Sequence, residues 1–402
     1  MSHLAGGRSC PACSAVDGRP IHHLNLRTPD GHPLQGGYEI AACRICGTGY
    51  ADVVIDPEYY NRYYAELAKY ADDPNLVSAG TTATSVSSAW ADGRLNATAD
   101  RIISVTGGEI GRLLDIGCGD GTLLRALLER GAGEVLGIDP SPKSSVVAAQ
   151  RGIDVRIGYF SDMPRGLGEF DVISMTGVLE HVWDVDEAMT WAISHLGPEG
   201  LLYVELPDAS RYMDPYLGPF EDFNSEHVNH FSPSSLTTLG RRFGMTSRWS
   251  GPTDTELAPG VATACTGIAL ARDVTSAAPI ACDVGLIRTL EQFTERSRAD
   301  LDSIDKRLRE RLGGSPEFIL WGMGELSMKL LAQTVLAERH PVALIDGNVA
   351  RQGARYRGQP VCSPDSIPRG EIPIVVGSLI RDEPIISAIA ALQLPNPVVP
   401  IR

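Results

Sequence analysis

Residues 113–121 read LLDIGCGDG, and this stretch decides the fold class. The apolar LLDI predicts a buried strand, and glycines at 117, 119 and 121 predict a turn whose backbone a ligand can approach closely. A helical pattern follows in DGTLLRALLERG, with leucines on one face and Gly131 at its end. A strand, a glycine-rich turn and a helix in this order are typical of doubly wound α/β folds that bind nucleotides.

The same alternation of short apolar runs and helical patterns continues from about residue 112 to residue 207. It predicts crossover units and a mostly parallel sheet with helices on both faces. A second α/β alternation starts at EFILWGMGELSMKLL, residues 317–331. Between the two, apolar residues recur at spacings of three and four and predict one long amphipathic helix over 284–312. We therefore expect two separate sheets.

Two Cys-x2-Cys pairs lie near the start of the chain, at Cys10, Cys13, Cys43 and Cys46. Four thiolates fill a tetrahedral zinc shell without an open position, which is typical of a structural site. Such a site stabilises a lobe that is too small for a hydrophobic core. The alternatives are free thiols or a redox pair. Histidines in the intervening loop are alternative ligands: His22, His23 and His32.

The overall charge limits the partners. The chain of 402 residues has 35 basic and 50 acidic side chains, a formal charge of -15. Such a surface repels nucleic acid and anionic membranes, although a small anionic ligand is still allowed. No apolar run approaches the ~18 residues that span a bilayer, and the first residues do not resemble a secretory signal. We expect a cytoplasmic protein with a small-molecule substrate.

The charges at the glycine turn indicate the type of ligand. Asp115 and Asp120 flank the turn, which disfavours a pyrophosphate and suits an ammonium group. Asp139 ends the second strand about 20 residues later, where an acid binds ribose hydroxyls. An amino acid joined to a nucleoside satisfies both features, and S-adenosylmethionine is such a molecule. A dinucleotide-binding fold is the alternative.

Over about residues 71–275 the chain resembles the class I S-adenosylmethionine-dependent methyltransferases. The resemblance implies a doubly wound sheet with an antiparallel last strand. It also implies that the cofactor contacts the turn and the ends of the second, third and fourth strands. The expected cofactor-binding residues are Asp115, Gly117, Cys118, Gly119, Asp139, Phe160 and Thr176.

Two Glu-His pairs are candidates for the chemistry, because methyl transfer needs an aligned nucleophile and, in many cases, a base. Glu180-His181 follows the fourth strand, and Glu226-His227 lies after the fifth strand. A neighbouring carboxylate can hold a histidine in one tautomer near neutral pH. We expect His227 as the base, Glu226 as its orienting residue and His181 as a further catalytic residue. An architectural role is the alternative for both pairs.

The order of segments along nearly the whole chain resembles the sugar C-methyltransferases of antibiotic deoxysugar pathways. The resemblance implies a zinc lobe with a tyrosine-rich segment (1–70), a methyltransferase core (71–275), and a linking helix with a Rossmann-like domain (276–402). It also implies a nucleotide-linked keto sugar, an enolate intermediate and methylation on carbon. That family has a Tyr-x-Glu-His run, whereas this chain has Asn224 in place of the tyrosine. Methylation on oxygen or nitrogen of another metabolite therefore stays open.

Further residues are candidates for contact with the substrate. The tyrosines of 59–70 predict a packed helix or a lid that presents phenol groups. The candidate substrate-binding residues are Tyr63, Tyr64, Asn224 and His230.

The sequence allows two other hypotheses about function. One is a nucleotide-dependent oxidoreductase or epimerase that uses the turn at residues 322–324, and the other is a non-enzymatic interaction protein. Binding of S-adenosylmethionine separates the main hypothesis from both.

Overall fold

The computed structural model describes residues 7–66, 83–160, 162–258, 261–273 and 279–402. The chain forms two compact units that interleave along the sequence. The first unit contains Met1–Pro20, Ala41–Pro215 and Glu226–Leu290. The second unit contains Ile21–Ile40, Tyr216–Ser225 and Glu291–Arg402. A division along the sequence alone therefore does not describe the packing of the chain.

The first part of the chain forms three short strands and two helices. They are β1 (Gly18–Leu24), β2 (Tyr38–Cys43), β3 (Gly49–Asp52), α1 (Pro57–Glu66) and α2 (Ala83–Thr106). Strand β2 is almost completely buried, with Ile40, Ala41 and Ala42 inaccessible to solvent. Cys10, Ala41 and Cys43 belong to the same buried hydrophobic cluster as Leu114 and Ile173 from the middle of the chain, so the region around the cysteines shares that core.

The middle of the chain forms the large sheet and its helices. The elements are β4 (Arg112–Ile116), α3 (Thr122–Glu129), β5 (Glu134–Asp139), α4 (Pro142–Gln150), β6 (Val155–Ile157), β7 (Phe170–Thr176), α5 (Val185–Ser194), β8 (Leu196–Pro207), β9 (Asn229–His230), α6 (Pro233–Arg242), β10 (Met245–Pro252), β11 (Thr255–Ala258), β12 (Val261–Thr263) and β13 (Cys265–Arg272). Strand β9 pairs antiparallel with β3 and extends the small sheet, whose order is β1-β2-β3-β9. Strands β11 and β12 form a separate hairpin.

Seven strands form the large sheet in the order β10-β13-β8-β7-β4-β5-β6. The five strands from β8 to β6 are parallel to one another. Strand β13 runs antiparallel to both of its neighbours, β8 and β10. The prediction of an α/β fold with a mostly parallel sheet is confirmed, and the carboxyl ends of the parallel strands meet at one edge.

The local sequence explains the first strand and helix. Leu113 and Leu114 are fully buried in β4, and Leu124 and Leu127 form the buried face of α3. Strand β6 is a short strand of three residues, Val155–Ile157. After β6 the amide of Gly158 donates to the carbonyl of Asp139 over 3.2 Å. This bond continues the parallel pairing of β6 with the end of β5.

The last part of the chain continues from a long helix into a second sheet. The elements are α7 (Val284–Leu312), β14 (Glu317–Trp321), α8 (Glu325–Gln333), β15 (His340–Ile345), β16 (Arg355–Tyr356), β17 (Gln359–Cys362), β18 (Ile374–Val376), α9 (Asp382–Ala391) and β19 (Val398–Pro400). The order of this sheet is β16-β17-β15-β14-β18-β19, and only the β16–β17 pair is antiparallel. The predicted bounds of α7 are confirmed, and its predicted apolar stripe is buried. No helix of the described residues is long and apolar enough to cross a membrane.

Candidate active site

The glycine turn after β4 is held against the end of β5. The amides of Gly117 and Cys118 both donate to the carbonyl of Ile138, over 2.8 and 3.2 Å. Gly117 has a φ of 72°, and a Cβ there would lie 2.6 Å from Cγ2 of Val178. The backbone conformation and the close approach of Val178 both require glycine at this position.

Asp139 joins the turn to the end of β5. One oxygen of its carboxylate accepts from the amide of Gly119, and the other accepts from the amide of Ser141, each over 2.9 Å. A Cβ on Gly119, which has a φ of 53°, would meet no atom within 4 Å. The turn therefore presents open space beside a fixed acid, as a nucleoside ligand requires.

Asp115 is a buried acid at the end of β4, with 3% of its surface exposed. Its Oδ1 accepts from the hydroxyl of Ser174 over 2.7 Å. Burial raises the pKa of Asp115 to about 7, and the charge of Asp139 contributes to this rise, whereas Arg94 and the Ser174 hydrogen bond oppose it. A cationic ligand near the turn would favour the charged form of this carboxylate.

The sequence predicts that the carboxylate of Asp120 suits a ligand ammonium group, but the structure pairs this carboxylate with side chains of the protein. Its Oδ1 accepts from the amide and hydroxyl of Thr122, over 3.1 and 2.7 Å. Its Oδ2 lies 2.8 Å from a guanidinium nitrogen of Arg151, and the side chain is 45% exposed. Arg151, which directly follows α4, thus forms an ion pair with Asp120 at the start of α3.

The ends of β6 and β7 carry the other two expected cofactor residues. Thr176 ends β7 in register with Glu205 of β8, and its buried Oγ1 has no hydrogen-bond partner among the described residues. Phe160 follows β6 and packs, partly buried, against the hydrophobic core of the sheet. A buried hydroxyl without a partner is the type of group that a ligand can satisfy.

Arg94 of α2 is a residue that the sequence analysis missed. A Cβ on Gly177 would lie 3.9 Å from Nη2 of Arg94 and 3.7 Å from Oε1 of Glu180. The Arg94 Nε lies 3.7 Å from Oε1 of Glu205. This places a guanidinium at the carboxyl ends of the strands. No motif surrounds Arg94 in the sequence, so only the packing of α2 reveals it.

Glu205 fixes the helix that carries Arg94. Its carboxylate, which is 2% exposed, accepts from Arg101 over 2.9 Å, from Thr98 over 3.1 Å and from the hydroxyl of Tyr203 over 2.8 Å. Arg101 and Thr98 both belong to α2. This buried network therefore sets the position of α2 on the sheet.

The two Glu-His pairs meet at the same edge of the sheet. His181 Nδ1 lies 3.1 Å from the carbonyl oxygen of Glu226, and the rings of His181 and His227 are 4.9 Å apart. The ligand atoms of Glu180, His181 and His227 all lie within 4.8 Å of one another. Burial raises the pKa of Glu180, which is 4% exposed. We refer to these three side chains as the Glu-His cluster.

Main-chain hydrogen bonds hold the two loops of the cluster together. The carbonyl of Glu180 accepts from the amides of Val228 and Asn229, over 2.8 and 3.1 Å. The side-chain amide of Asn229 donates to the carbonyls of Leu179 and Val182, each over 2.7 Å. The cluster is thus supported by a rigid scaffold rather than by two independent loops.

Helix α1 brings tyrosines to these loops. The hydroxyl of Tyr60 lies 3.5 Å from the carbonyl oxygen of Glu226, and its ring is 5.7 Å from that of Trp183. Tyr63 is 9% exposed. The side chain of Tyr64 lies outside the described part of the structure. The structure thus places Tyr60 against the main chain of one Glu-His pair.

Two further candidate substrate residues lie in different surroundings. His230 is fully buried in β9, where its Nδ1 lies 3.1 Å from the hydroxyl of Tyr212 and burial lowers its pKa to about 3. Asn224 belongs to the second unit, and its amide donates to the carbonyl of Glu221 over 3.1 Å. A contact of either residue with a substrate stays a prediction.

The four cysteines of the two Cys-x2-Cys pairs converge. The Sγ atoms of Cys10 and Cys46, and those of Cys13 and Cys43, are 3.5 Å apart. All four lie within 4.8 Å of one another, and none forms a disulfide. A tetrahedral zinc site with Zn–S bonds of ~2.3 Å separates its sulfurs by about 3.8 Å. The observed donors therefore fit such an ion.

The turn at the second sheet has the same backbone bond to an acid but an additional ion pair. The amide of Met323 donates to Oδ2 of Asp346 over 2.7 Å, as that of Gly119 does to Asp139, and Arg351 in addition lies 3.3 Å from the same oxygen. The carboxylate of Glu325 accepts from the amide and hydroxyl of Ser225, over 3.0 and 2.7 Å. Within this unit, side chains of the protein already use the polar groups that a nucleotide would contact.

Comparison with known families gives a match over the large sheet. Residues 57–247 match the family model described as a methyltransferase domain. The strand order of the large sheet, with one reversed strand near its edge, has the class I methyltransferase arrangement. This part of the chain is similar to methyltransferase domains, and the match supports the prediction of an S-adenosylmethionine-dependent methyltransferase.

Curated proteins that are similar to a part of this chain include O-methyltransferases of ubiquinone biosynthesis. The ubiquinone biosynthesis O-methyltransferase of Sinorhizobium medicae (strain WSM419) is 40% identical over 99 residues, which cover 23% of this chain and 40% of that protein. The protein of the same name from Brucella anthropi is 41% identical over 101 residues, with the same coverage. The chain thus spans about two fifths of the length of the curated relatives it matches.

Solved structures similar to the chain include other methyltransferases. The N-methyltransferase NodS from Bradyrhizobium japonicum WM9 is 18% identical, with a TM-score of 0.35, over 44% of this chain and 94% of that chain. The magnesium protoporphyrin IX methyltransferase from Synechocystis PCC 6803 with bound SAH is 13% identical, with a TM-score of 0.38, over 54% and 98%.

The buried carboxyl of Asp115 in the methyltransferase domain predicts a pH-dependent stability. Its pKa of about 7 lies above the ~3.9 of an unfolded chain, so the folded state binds more protons between these values. This contribution to stability is present below pH ~4 and is lost as the pH rises to 7. We expect Asp115→Asn to stabilise the protein more at pH 8 than at pH 5, by on the order of 2 kcal/mol.

The measurement is thermal or urea unfolding without cofactor at both pH values. Asp120→Asn is the matched control, because Asp120 lies close in sequence but is 45% exposed. We expect this control to follow the wild-type pH dependence. An equal gain at pH 5 and pH 8 for Asp115→Asn would contradict a raised pKa of Asp115.

Proposed function

We propose that the protein transfers a methyl group from S-adenosylmethionine to a small metabolite. The observation that carries this proposal is the glycine turn, whose open side at Gly119 lies beside the fixed carboxylate of Asp139. The Glu-His cluster follows β7 at the same edge of the sheet. One edge thus combines a nucleoside-binding turn with groups that can activate an acceptor.

We assign the cofactor contacts to the residues at this edge. Gly117, Cys118 and Gly119 would face the methionine part, and Asp139 the ribose. Phe160 and Thr176 would flank the adenine and the sulfonium, and Asp115 would favour the nearby cationic groups. When bound, S-adenosylmethionine supplies a methyl group activated on a sulfonium. Arg94 adds a guanidinium that is suited to the carboxylate of the methionine part.

The acceptor is activated at the Glu-His cluster. In the simplest form of this proposal, no ion takes part and His227 accepts the proton of the acceptor. The carbonyl of Glu226 orients His181, because a carbonyl can only accept the hydrogen of Nδ1. Glu226 thus orients a histidine through its main chain, whereas the sequence predicts a side-chain role toward His227. His181 then directs Nε2 toward Glu180, at 3.9 Å.

We infer the chemical class of the acceptor from the resemblances to known families. We favour C-methylation of a nucleotide-linked keto sugar, with Tyr63, Tyr64, Asn224 and His230 as candidate contacts. The partial similarity to ubiquinone biosynthesis O-methyltransferases supports methylation on oxygen as the second candidate. In both cases we expect a small molecule in the cytoplasm rather than nucleic acid or a membrane as the partner. We also propose that residues 1–70 form the zinc lobe, residues 71–275 the methyltransferase core, and residues 276–402 the linking helix and C-terminal domain.

We also propose that the four cysteines bind a structural zinc ion. The sulfur separations of 3.5 Å suit a four-thiolate shell. The amide of Ile45 donates to Sγ of Cys43 over 3.4 Å, and the hydroxyl of Thr48 lies 3.1 Å from Sγ of Cys46. Such hydrogen bonds are typical of the groups that surround a metal-bound thiolate.

The cofactor assignment predicts different effects for two neighbouring acids. Asp139→Ala should weaken binding of S-adenosylmethionine at least ~10-fold, because a charged hydrogen-bond acceptor for the ribose is lost. Asp120→Ala should change the affinity little, since Arg151 and Thr122 use that carboxylate. Isothermal calorimetry measures both, with thermal melting to confirm folding. Wild-type protein that binds a nicotinamide cofactor instead would contradict the proposed function.

The site assignment predicts that His227→Ala lowers turnover by roughly 10²-fold or more while the cofactor affinity is kept. The assay offers nucleotide-linked keto sugars, phenolic and amine metabolites, and follows the gain of one methyl group by mass spectrometry. Fragmentation places the new methyl group on carbon, oxygen or nitrogen. Full turnover by His227→Ala would remove His227 from the proposed chemistry.

The zinc proposal predicts at least one equivalent of zinc in the purified protein. Cys43→Ser should lower this content and the melting temperature, because binding of the ion stabilises the folded lobe. Cys282→Ser is the control, since Cys282 is exposed and outside the four-cysteine group. Elemental analysis by mass spectrometry gives the metal content. Equal zinc in the wild type and Cys43→Ser would contradict the assignment.

A further inference from the structure

The Glu-His cluster has the composition of a metal site. Two imidazoles and one carboxylate offer three ligand atoms within 4.8 Å of one another, from Glu180, His181 and His227. A cation with bonds of ~2.0–2.2 Å needs its ligand atoms roughly 3–4.3 Å apart. The Nε2 of His181 and the Oε1 of Glu180 are already 3.9 Å apart. Small rotations of these side chains would complete the site.

The hydrogen bond of His181 prepares the ring for a metal. Its Nδ1 lies 3.1 Å from the carbonyl oxygen of Glu226, so in the neutral ring Nδ1 carries the hydrogen. The lone pair is then on Nε2, which lies on the side of Glu180. Histidines that bind metals characteristically donate their other N–H to a carbonyl or carboxylate.

Glu180 provides an independent indication of a ligand. The residue is 4% exposed, and its Oε2 is buried without a hydrogen-bond partner among the described residues. A buried carboxylate oxygen without a donor is costly unless a cation or a donor satisfies it. Arg94 approaches the loop at Gly177, but its guanidinium makes no hydrogen bond to that oxygen.

The scaffold keeps the ligands in place. The amides of Val228 and Asn229 donate to the carbonyl of Glu180, and this ties the loop of His227 to that of Glu180 and His181. Arg8 donates to the carbonyls of Val228 and Val182, over 3.2 and 3.3 Å. A preformed arrangement of this type reduces the conformational entropy that the protein loses when a ligand binds.

We propose that Glu180, His181 and His227 bind a divalent cation. Two imidazoles and a carboxylate suit Zn²⁺, Fe²⁺, Co²⁺ or Mn²⁺, and three protein ligands leave positions open for an oxygen of the acceptor. Binding of the cation does not depend on the methyltransferase activity, but its role in catalysis rests on the proposed function.

A bound cation changes the assignment of His227. The imidazole lone pair then binds the metal, so His227 is a ligand and not the base. The acceptor's O–H bond breaks because the cation stabilises the oxygen anion, and the proton leaves to water. The same charge stabilisation applies to the enolate of a keto sugar: the electron pair of the C–H bond becomes the carbon–carbon π bond of the enolate, the cation holds its oxygen, and the proton passes to a water molecule. The cation and a basic His227 are therefore alternatives that experiment can separate.

The test uses Mn²⁺, because a four-thiolate site selects softer ions and keeps its zinc. The full-length protein is treated with a mild chelator and titrated with Mn²⁺, and free Mn²⁺ is followed by electron paramagnetic resonance. We expect one saturable site in the wild type. We expect at least ~10-fold weaker binding in Glu180→Gln and in His227→Ala.

His195→Ala is the matched control, because His195 stacks on Trp191 and lies outside the cluster. Circular dichroism and calorimetry with S-adenosylmethionine confirm that each variant is folded and binds the cofactor. The absence of saturable Mn²⁺ binding in the wild type, or equal affinity in all variants, would overturn the proposal. That result leaves cofactor binding intact, whereas failure of the proposed function appears as loss of S-adenosylmethionine binding by the wild type.

Discussion

Parallel pairing of β4 with β5 and β7 is the constraint on which the site depends. Because these strands run in one direction, their carboxyl ends meet at one edge, where the turns that follow them can share a ligand. The hydrogen bonds from Gly117 and Cys118 to Ile138 then fix the glycine turn against β5. The loop after β7 begins at the same edge and leads into the Glu-His cluster.

Buried acids dominate the electrostatics of this edge. Asp115, Glu180 and Glu205 are each less than 5% exposed. Glu205 is satisfied by Arg101, Thr98 and Tyr203, so its role is to position α2. Asp115 and Glu180 have raised pKa values because of burial. A cationic methyl donor at the turn and a metal ion at the cluster would each favour the charged form of one of these acids.

Local sequence predicted the elements better than it predicted the partners of individual side chains. The helix over 284–312 and the glycine turn follow from spacing and from backbone conformation, which are local properties. Asp120 is the counterexample, since its charge is visible in the sequence but Arg151, which neutralises it, is placed by α4. Arg94 was missed for the same reason, because only the packing of α2 brings it to the turn.

By itself, the sequence determined the alternating α/β pattern, the glycine turn followed by an acid at Asp139, and the two cysteine pairs. These features depend on periodicity, on glycine conformations and on short spacings, which a linear chain displays directly. Tertiary structure alone brought Glu180 and His181 together with His227, with their ligand atoms within 4.8 Å of one another. Residues 180 and 227 meet because main-chain hydrogen bonds join two distant loops, and no local pattern encodes such a contact.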